Sequence, residues 1–249
     1  MLELNRISAG YGKQTVLDGI SVDFEKGKLT SIIGVNGCGK STLLKAILGI
    51  LSLSNGEIFI DGENLLTISR NEIAKKIAYL SQGKNIPDMT VEQMVLHGRF
   101  PYLSYPRRYS SHDIEVAIKA MEAVGIAEFA HKPLYSLSGG MRQNAYIAMA
   151  LAQDTDYILL DEPTTYLDIA HQLELMRILR KLADSGKGIV TVMHNLPIAF
   201  DFSDKLTVMS NGKIIAYGTP SEICESHIVE DIFGVKIKQV QKGKYLYEY

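Results

Sequence analysis

A chain of 249 residues can bury a full core, and its 26 Lys plus Arg against 28 Asp plus Glu leave a net charge of −2, with no basic footprint for nucleic acid or an anionic membrane. Two cysteines, Cys38 and Cys224, are too few for a disulfide framework and suit a reducing cytoplasm. No low-complexity linker divides the chain, no uncharged apolar run approaches the ~18 residues of a membrane span, and Met1–Asn5 lacks the basic-then-apolar pattern of a leader, so any membrane role is expected to come through a partner.

Leu2–Ser8 alternates as a strand and gives way to a loop, Ala9-Gly10-Tyr11-Gly12, that puts one aromatic ring between two glycines. Tyr11 suits either an ordinary turn or stacking on a flat ligand such as adenine. The phosphate motif that follows favours stacking. Ile20–Phe24 and Gly56–Asp61 are further alternating strands, expected to form an antiparallel β part.

Between them lies the most specific stretch. Leu29–Ile33 is a short β-branched strand, Ser41–Leu48 takes up helical periodicity, and Gly34-Val35-Asn36-Gly37-Cys38-Gly39-Lys40-Ser41-Thr42 joins them, matching G-x-x-x-x-G-K-[ST]. The glycines let successive amides turn toward an anion at the positive end of the helix. Lys40 is then expected to reach the β- and γ-phosphates, and the Ser41 hydroxyl to ligate Mg²⁺.

Ile77–Leu80 is another strand, delivering Gln82 to a loop. A glutamine there can hold a Mg²⁺ and the attacking water, or simply be solvated. From Thr90-Val91-Glu92-Gln93, which has capping-box form, the period becomes helical, with segments at Ser110–Val124 and Ser138–Gln153. Gly98–Tyr109 between the first two is rich in aromatics, Pro and Arg and reads as a partner-docking surface rather than an RNA-stacking loop.

Ser138 is a good N-cap, but Gly139 and Gly140 in a first helical turn cost stability, which makes sense if an anion must approach the amides. Tyr157–Leu160 is an apolar strand ending in Asp161 and Glu162, where Asp161 is expected to hold Mg²⁺ through water and Glu162 to act as general base. Asp168 caps a helix running to about Ala183, and the strand Gly188–Met193 presents His194, expected at the γ-phosphate. Leu206–Met209 and Ile214–Tyr217 form a hairpin across Asn211-Gly212, Thr219-Pro220-Ser221-Glu222 opens a helix, and Val235–Tyr249 reads as a last hairpin around Lys242-Gly243.

Taken together these residues resemble the ATP-binding subunits of ABC transporters over essentially the whole chain. The resemblance makes Tyr11 the adenine-stacking residue, Gly34–Thr42 the Walker A loop, Gln82 the Q-loop glutamine, Leu137–Gln143 the ABC signature, Asp161 and Glu162 Walker B, Leu167-Asp168 the D-loop and His194 the switch histidine. It implies an α/β fold, a P-loop NTPase (RecA-like) core with an antiparallel β part, over 1–84 and 156–249, and an inserted helical subdomain at 85–155 carrying the signature. ATP with Mg²⁺ would be held by Tyr11, Gly34, Asn36, Gly37, Cys38, Gly39, Lys40, Ser41 and Thr42. The metal would sit at Ser41, Gln82 and Asp161, and catalysis would rest on Glu162, His194, Gln82 and Lys40.

Two copies would join head to tail, with Ser138, Gly139 and Gly140 of one gripping the γ-phosphate on the other. A polytopic permease dimer would dock near Gln82 and the helical insert, placing the subunit on the cytoplasmic face of the membrane, with an extracytoplasmic substrate-binding protein as an indirect partner and no nucleic acid. Gly98–Tyr102 and Thr164–Gln172 look like importers of iron–siderophore complexes, a group that grades into haem and cobalamin importers. A soluble ABC ATPase scaffold of iron–sulfur assembly is the alternative from another class. Asn144 departs from the Arg common after the signature glutamine.

Overall fold

The structure is a computed structural model describing residues 1–83, 86–241 and 243–248. Lys84, where the first core segment is expected to end, Asn85, Lys242 in the expected tail turn and Tyr249 lie outside the described residues.

N-terminal alternation makes β1 (Leu2–Tyr11) and β2 (Gln14–Phe24), which fold back on each other across Gly12 at φ 59°. β3 (Leu29–Gly34), buried at every position, runs through the glycine-rich loop into α1 (Lys40–Ile47), followed by β4 (Leu53–Ile60), the short β5 (Glu63–Asn64), α2 (Arg70–Lys76) and β6 (Ile77–Leu80). Next come α3 (Val91–Leu96), α4 (Ser111–Ala123) and α5 (Gly139–Ala152), whose N-caps are Thr90, Ser110 and Ser138. The chain continues with β7 (Tyr157–Leu160), α6 (Ile169–Asp184) capped by Asp168, β8 (Gly188–Val192), α7 (Leu196–Phe202), and the hairpin β9 (Lys205–Ser210) and β10 (Lys213–Gly218). It closes with α8 (Pro220–Glu225), α9 (Ile228–Phe233), β11 (Lys236–Gln241) and β12 (Lys244–Glu248).

The strands form three sheets among the described residues: antiparallel β2-β1-β4-β5, a larger sheet in the order β10-β9-β3-β8-β7-β6, and the tail hairpin β11-β12. In the larger sheet β9, β3, β8, β7 and β6 are parallel, so β3, β6, β7 and β8 all deliver their carboxyl ends to one edge, the edge at which open α/β sheets bind ligands. Both faces are covered. Successive residues alternate between two cores: Leu29, Ile33, Ile158, Leu160 and Ile189 face one, and Ile32, Leu159, Val190 and Val192 the other.

The second core also contains Leu2, Leu4 and Ile7 of the antiparallel sheet and Leu43, Leu44 and Ile47 of α1. Helix α1 has eight residues, too few to stand alone in water. Burying each large apolar side chain contributes about 1.5–3 kcal/mol, so packing between the sheets, not intrinsic propensity, holds α1. The first core runs on into α3, α4 and α5 through Val91, Val95, Ala117, Met121, Ala145 and Ala148.

Three helices, α2, α7 and α9, lie where the sequence reading has none. Ser69 and Glu72 form a capping box opening α2, and Asn195 caps α7 with Pro197 in its first turn. The expected docking stretch also differs at Arg99, which is 4 % exposed. Its guanidinium donates to Asp113 Oδ1 (2.9 Å) and Ala152 O (2.9 Å) and lies 4.0 Å from the Tyr102 ring centroid. Burial alone would raise the Asp113 carboxyl, but hydrogen bonds from Ser110 and Arg99 hold it down at about 2. Arg99 therefore pins the stretch to α4 and α5, leaving Phe100, Tyr102 and Tyr105 as its exposed aromatics.

Candidate functional site

The glycine-rich loop leaves the carboxyl end of β3 and closes on itself. Gly37 and Gly39 take φ 79° and 106°, a region that side chains avoid. Gly34 is needed for space, because a Cβ there would lie 2.4 Å from Met209 O and 2.7 Å from Cys38 Sγ. Lys40 is 6 % exposed, and its Nζ donates to Gly34 O (2.8 Å) and Val35 O (3.1 Å). Cys38 and Gly39 are buried, whereas Val35, Asn36 and Gly37 stand at the surface.

The loop is braced from outside. Gly212, in the Asn-Gly turn between β9 and β10, donates its N–H to Cys38 O (3.1 Å) and accepts from Asp18 N (2.9 Å). A Cβ on Gly39 would touch Leu17 Cδ2 at 3.0 Å, so β2 packs on the loop, and Tyr11, 50 % exposed, stands where β1 turns into β2.

At the end of β7, Asp161 is buried and joined to the loop, its Oδ1 accepting from Ser41 Oγ (3.0 Å) and its Oδ2 from Tyr79 OH (3.4 Å). Burial raises the Asp161 carboxyl above its ordinary value. Ser41 opposes this, the nearby Glu162 charge reinforces it, and Tyr79 opposes it again.

Glu162 adopts φ 53°, a backbone strain that the side-chain contacts fix in place. Its Oε1 lies 2.6 Å from His194 Nε2, beyond the end of β8, while its Oε2 accepts from Gln82 Nε2 (2.9 Å) and Thr165 Oγ1 (3.2 Å). Residues from four strand ends, 34–42, Gln82, Asp161–Glu162 and His194, thus converge on one edge. Gln82 bonds Glu162 and not Asp161, so of the three residues expected at a metal Ser41 and Asp161 meet while Gln82 joins the neighbouring carboxylate. A hydroxyl beside one carboxylate is a set of hard oxygen donors, which fits Mg²⁺, an ion that keeps several of its own waters.

Ser138, Gly139 and Gly140 are not part of that cluster's hydrogen bonds. Ser138 Oγ accepts from Met141 N (3.2 Å), capping α5. Gly139 is exposed, with nothing within 4 Å of the point where its Cβ would be, whereas Gly140 is buried against His171. Asn144, one turn on, donates to Val124 O (3.2 Å), a tie inside the helical part. The sequence reading missed Thr165 and Tyr79. Thr165 sits in the fingerprint stretch just after the paired acids, a signal that was in view, whereas nothing in the sequence points Tyr79 at Asp161.

Comparison with known proteins adds an independent line. Residues 17–165 match the family model described as ABC transporter. The chain is 41 % identical over 234 residues to the petrobactin import ATP-binding protein FpuD of Bacillus anthracis, covering 93 % of this chain and 86 % of that one. It is 40 % identical over 233 residues, with the same coverage, to the ferric enterobactin transport ATP-binding protein FepC of Escherichia coli K12. Among solved structures it resembles MJ1267, an ATP-binding cassette of an ABC transporter in its ADP conformation, with TM-score 0.85 and 26 % identity over 94 % of this chain and 98 % of that one.

Proposed function

The chain belongs to the ABC transporter family and is an ATP-binding ATPase subunit, and from that premise we propose that it is the motor of an importer for iron–siderophore complexes. The observation that carries the motor reading is the Glu162 carboxylate, held at a strand end between Gln82 and His194 and beside an Asp161 that reaches the phosphate loop through Ser41. The cargo reading is supported by relatives at about 40 % identity named for petrobactin and ferric enterobactin.

In this reading Tyr11 stacks on adenine, and the amides of 34–42 with Lys40 hold the β- and γ-phosphates. Ser41 and, through water, Asp161 would hold Mg²⁺, which would neutralise phosphate charge. Glu162 accepts the proton of the attacking water, with Gln82 and His194 fixing its two oxygens. Ser138 and the amides of Gly139 and Gly140 close on the γ-phosphate bound by a second copy, so the working unit is a head-to-tail homodimer. Among the described residues, those of 1–84 and 156–249 form the nucleotide-binding core, and those of 85–155 the helical arm that carries the signature.

No helix among the described residues is long and apolar enough to cross a membrane. In this reading the subunit works on the cytoplasmic face, held there by a polytopic permease dimer that receives cargo from an extracytoplasmic binding protein.

The test is ATP hydrolysis by the complex purified with its permease and reconstituted in lipid. Binding protein loaded with a ferric siderophore is expected to stimulate turnover several-fold by favouring the closed pair of cassettes. Stimulation only by haem or cobalamin would move the cargo to that neighbouring group, and stimulation only by a sugar or a peptide would remove the iron reading and leave the ATPase. Full activity without any membrane protein copurifying would favour the scaffold alternative.

A further inference from the structure

The fingerprint stretch Thr164–Gln172 is not exhausted by the hydrolysis site. Asp168 caps α6 by accepting from His171 N (2.9 Å), and the same Oδ1 lies 2.9 Å from His171 Nδ1. Gln172 Nε2 donates to Leu167 O (2.9 Å), so the two residues after Ala170 both fasten the 167–168 turn. The other edge of the His171 ring reaches a different helix. A Cβ placed on Gly140 would meet His171 Cδ2 at 2.2 Å and Nε2 at 2.8 Å.

The two glycines at the start of α5 thus have different reasons to be glycine. Gly139 faces open space. Gly140 is occupied from within the chain, and any side chain there would have to displace the imidazole.

We propose that His171 is a positioning residue: its imidazole, held by Asp168 on one edge and seated on Gly140 with the other, sets the spacing between the 167–168 turn and the first turn of α5. The first turn of α5 is the surface that a second copy has to meet, and the strut presents it as one face with the 167–168 turn. The inference rests on the shared-site reading above, in which Ser138–Gly140 act on nucleotide held by a neighbour. Gly140 then lacks a side chain because of His171, while its amide stays free to meet phosphate.

The experiment is steady-state ATP hydrolysis by the permease-containing complex with His171→Ala, Gly140→Ala and the double variant, a cycle that isolates their coupling. His171→Ala is expected to lower kcat about tenfold while KM for ATP stays within about twofold, since each nucleotide is held chiefly by its own phosphate loop. Gly140→Ala is expected to lower kcat about a hundredfold, the methyl having no place under the ring. The double variant is expected to recover to about the level of His171→Ala, which also shows that the fold survives.

His171→Asn keeps a donor for Asp168 but cannot reach Gly140, and it is expected to be as slow as His171→Ala. The proposal is overturned if Gly140→Ala is equally inactive with and without the ring, if His171→Ala keeps the normal kcat, or if His171→Asn recovers fully, which would assign the effect to the cap alone. Lys40→Ala and Glu162→Gln run alongside as controls. Hydrolysis that survives them removes the proposed site itself, whereas hydrolysis that they abolish, with additive effects at 140 and 171, removes only the strut.

Discussion

Two glycine-rich turns that the proposed function aims at phosphate are built in opposite ways. The turn at 34–42 is finished within the chain: Lys40 is buried and tied to loop carbonyls, Gly212 holds Cys38 O, and Ser41 is already joined to Asp161. The turn at 138–140 is braced from behind by His171 and presents Ser138 and Gly139 to solvent. Preorganisation around 34–42 would let one copy bind nucleotide by itself, whereas an open, rigidly backed turn would suit a face completed by another molecule.

The largest effect that tests this contrast comes from Glu162→Gln. The amide keeps the shape of the side chain and loses the base, so turnover is expected to fall by about 10²–10⁴ while Mg-ATP binding is retained. The expected consequence is an ATP-trapped dimer. Near-normal hydrolysis by this variant in the complex would take Glu162 out of the mechanism.

A mixed dimer sharpens the contrast further. With Lys40→Ala in one subunit and Ser138→Arg in the other, sharing leaves one site whole and one doubly damaged. With both changes in one subunit, each site loses one wall. One occluded Mg-ATP per dimer is expected in the first arrangement and almost none in the second, counted in a Glu162→Gln background. The reverse pattern would show that 34–42 and 138–140 of the same chain serve the same nucleotide.

The smallest effect is on stability. Burial raises the Asp161 carboxyl, so the folded chain takes up that proton at higher pH than the unfolded chain does. Stability from this group therefore falls as pH rises through the window above the ordinary value of 3.8. Asp161→Asn keeps an acceptor for Ser41 and removes the charge, and is expected to raise the Tm by about 2–4 °C at neutral pH while impairing Mg-dependent turnover. An unchanged or lower Tm would show that the phosphate-loop edge holds this carboxylate at no cost.

Much of this edge was legible because its residues announce themselves at strand ends. The phosphate motif, the paired acids after Leu160 and His194 after β8 all follow short apolar runs, and parallel pairing gathers whatever follows such runs. Gly10 was misread as part of a loop. A Cβ there would lie 1.9 Å from Gln14 O, so it is a glycine for close approach inside β1, which runs on to Tyr11. The capping box at Ser69 and Glu72 was visible in the sequence and went unread because α2 is only seven residues long. Arg99 misled for another reason: an arginine among aromatics looks like a surface group until a buried acid fourteen residues on, Asp113, turns it inward. His171 could not have been found from spacing alone, since its partner Gly140 lies on a different helix.

The Asn-Gly turn between β9 and β10 bears on how the protein can be engineered. A hairpin tip with Asn211 exposed is the usual choice for splicing in an epitope tag or cutting a permuted terminus. Here Gly212, at φ 75°, joins Asp18 on one side to Cys38 on the other, and a Cβ on it would lie 2.1 Å from Val16 O. An insertion at this tip would part the phosphate loop from the antiparallel sheet, so labels and split points belong away from it.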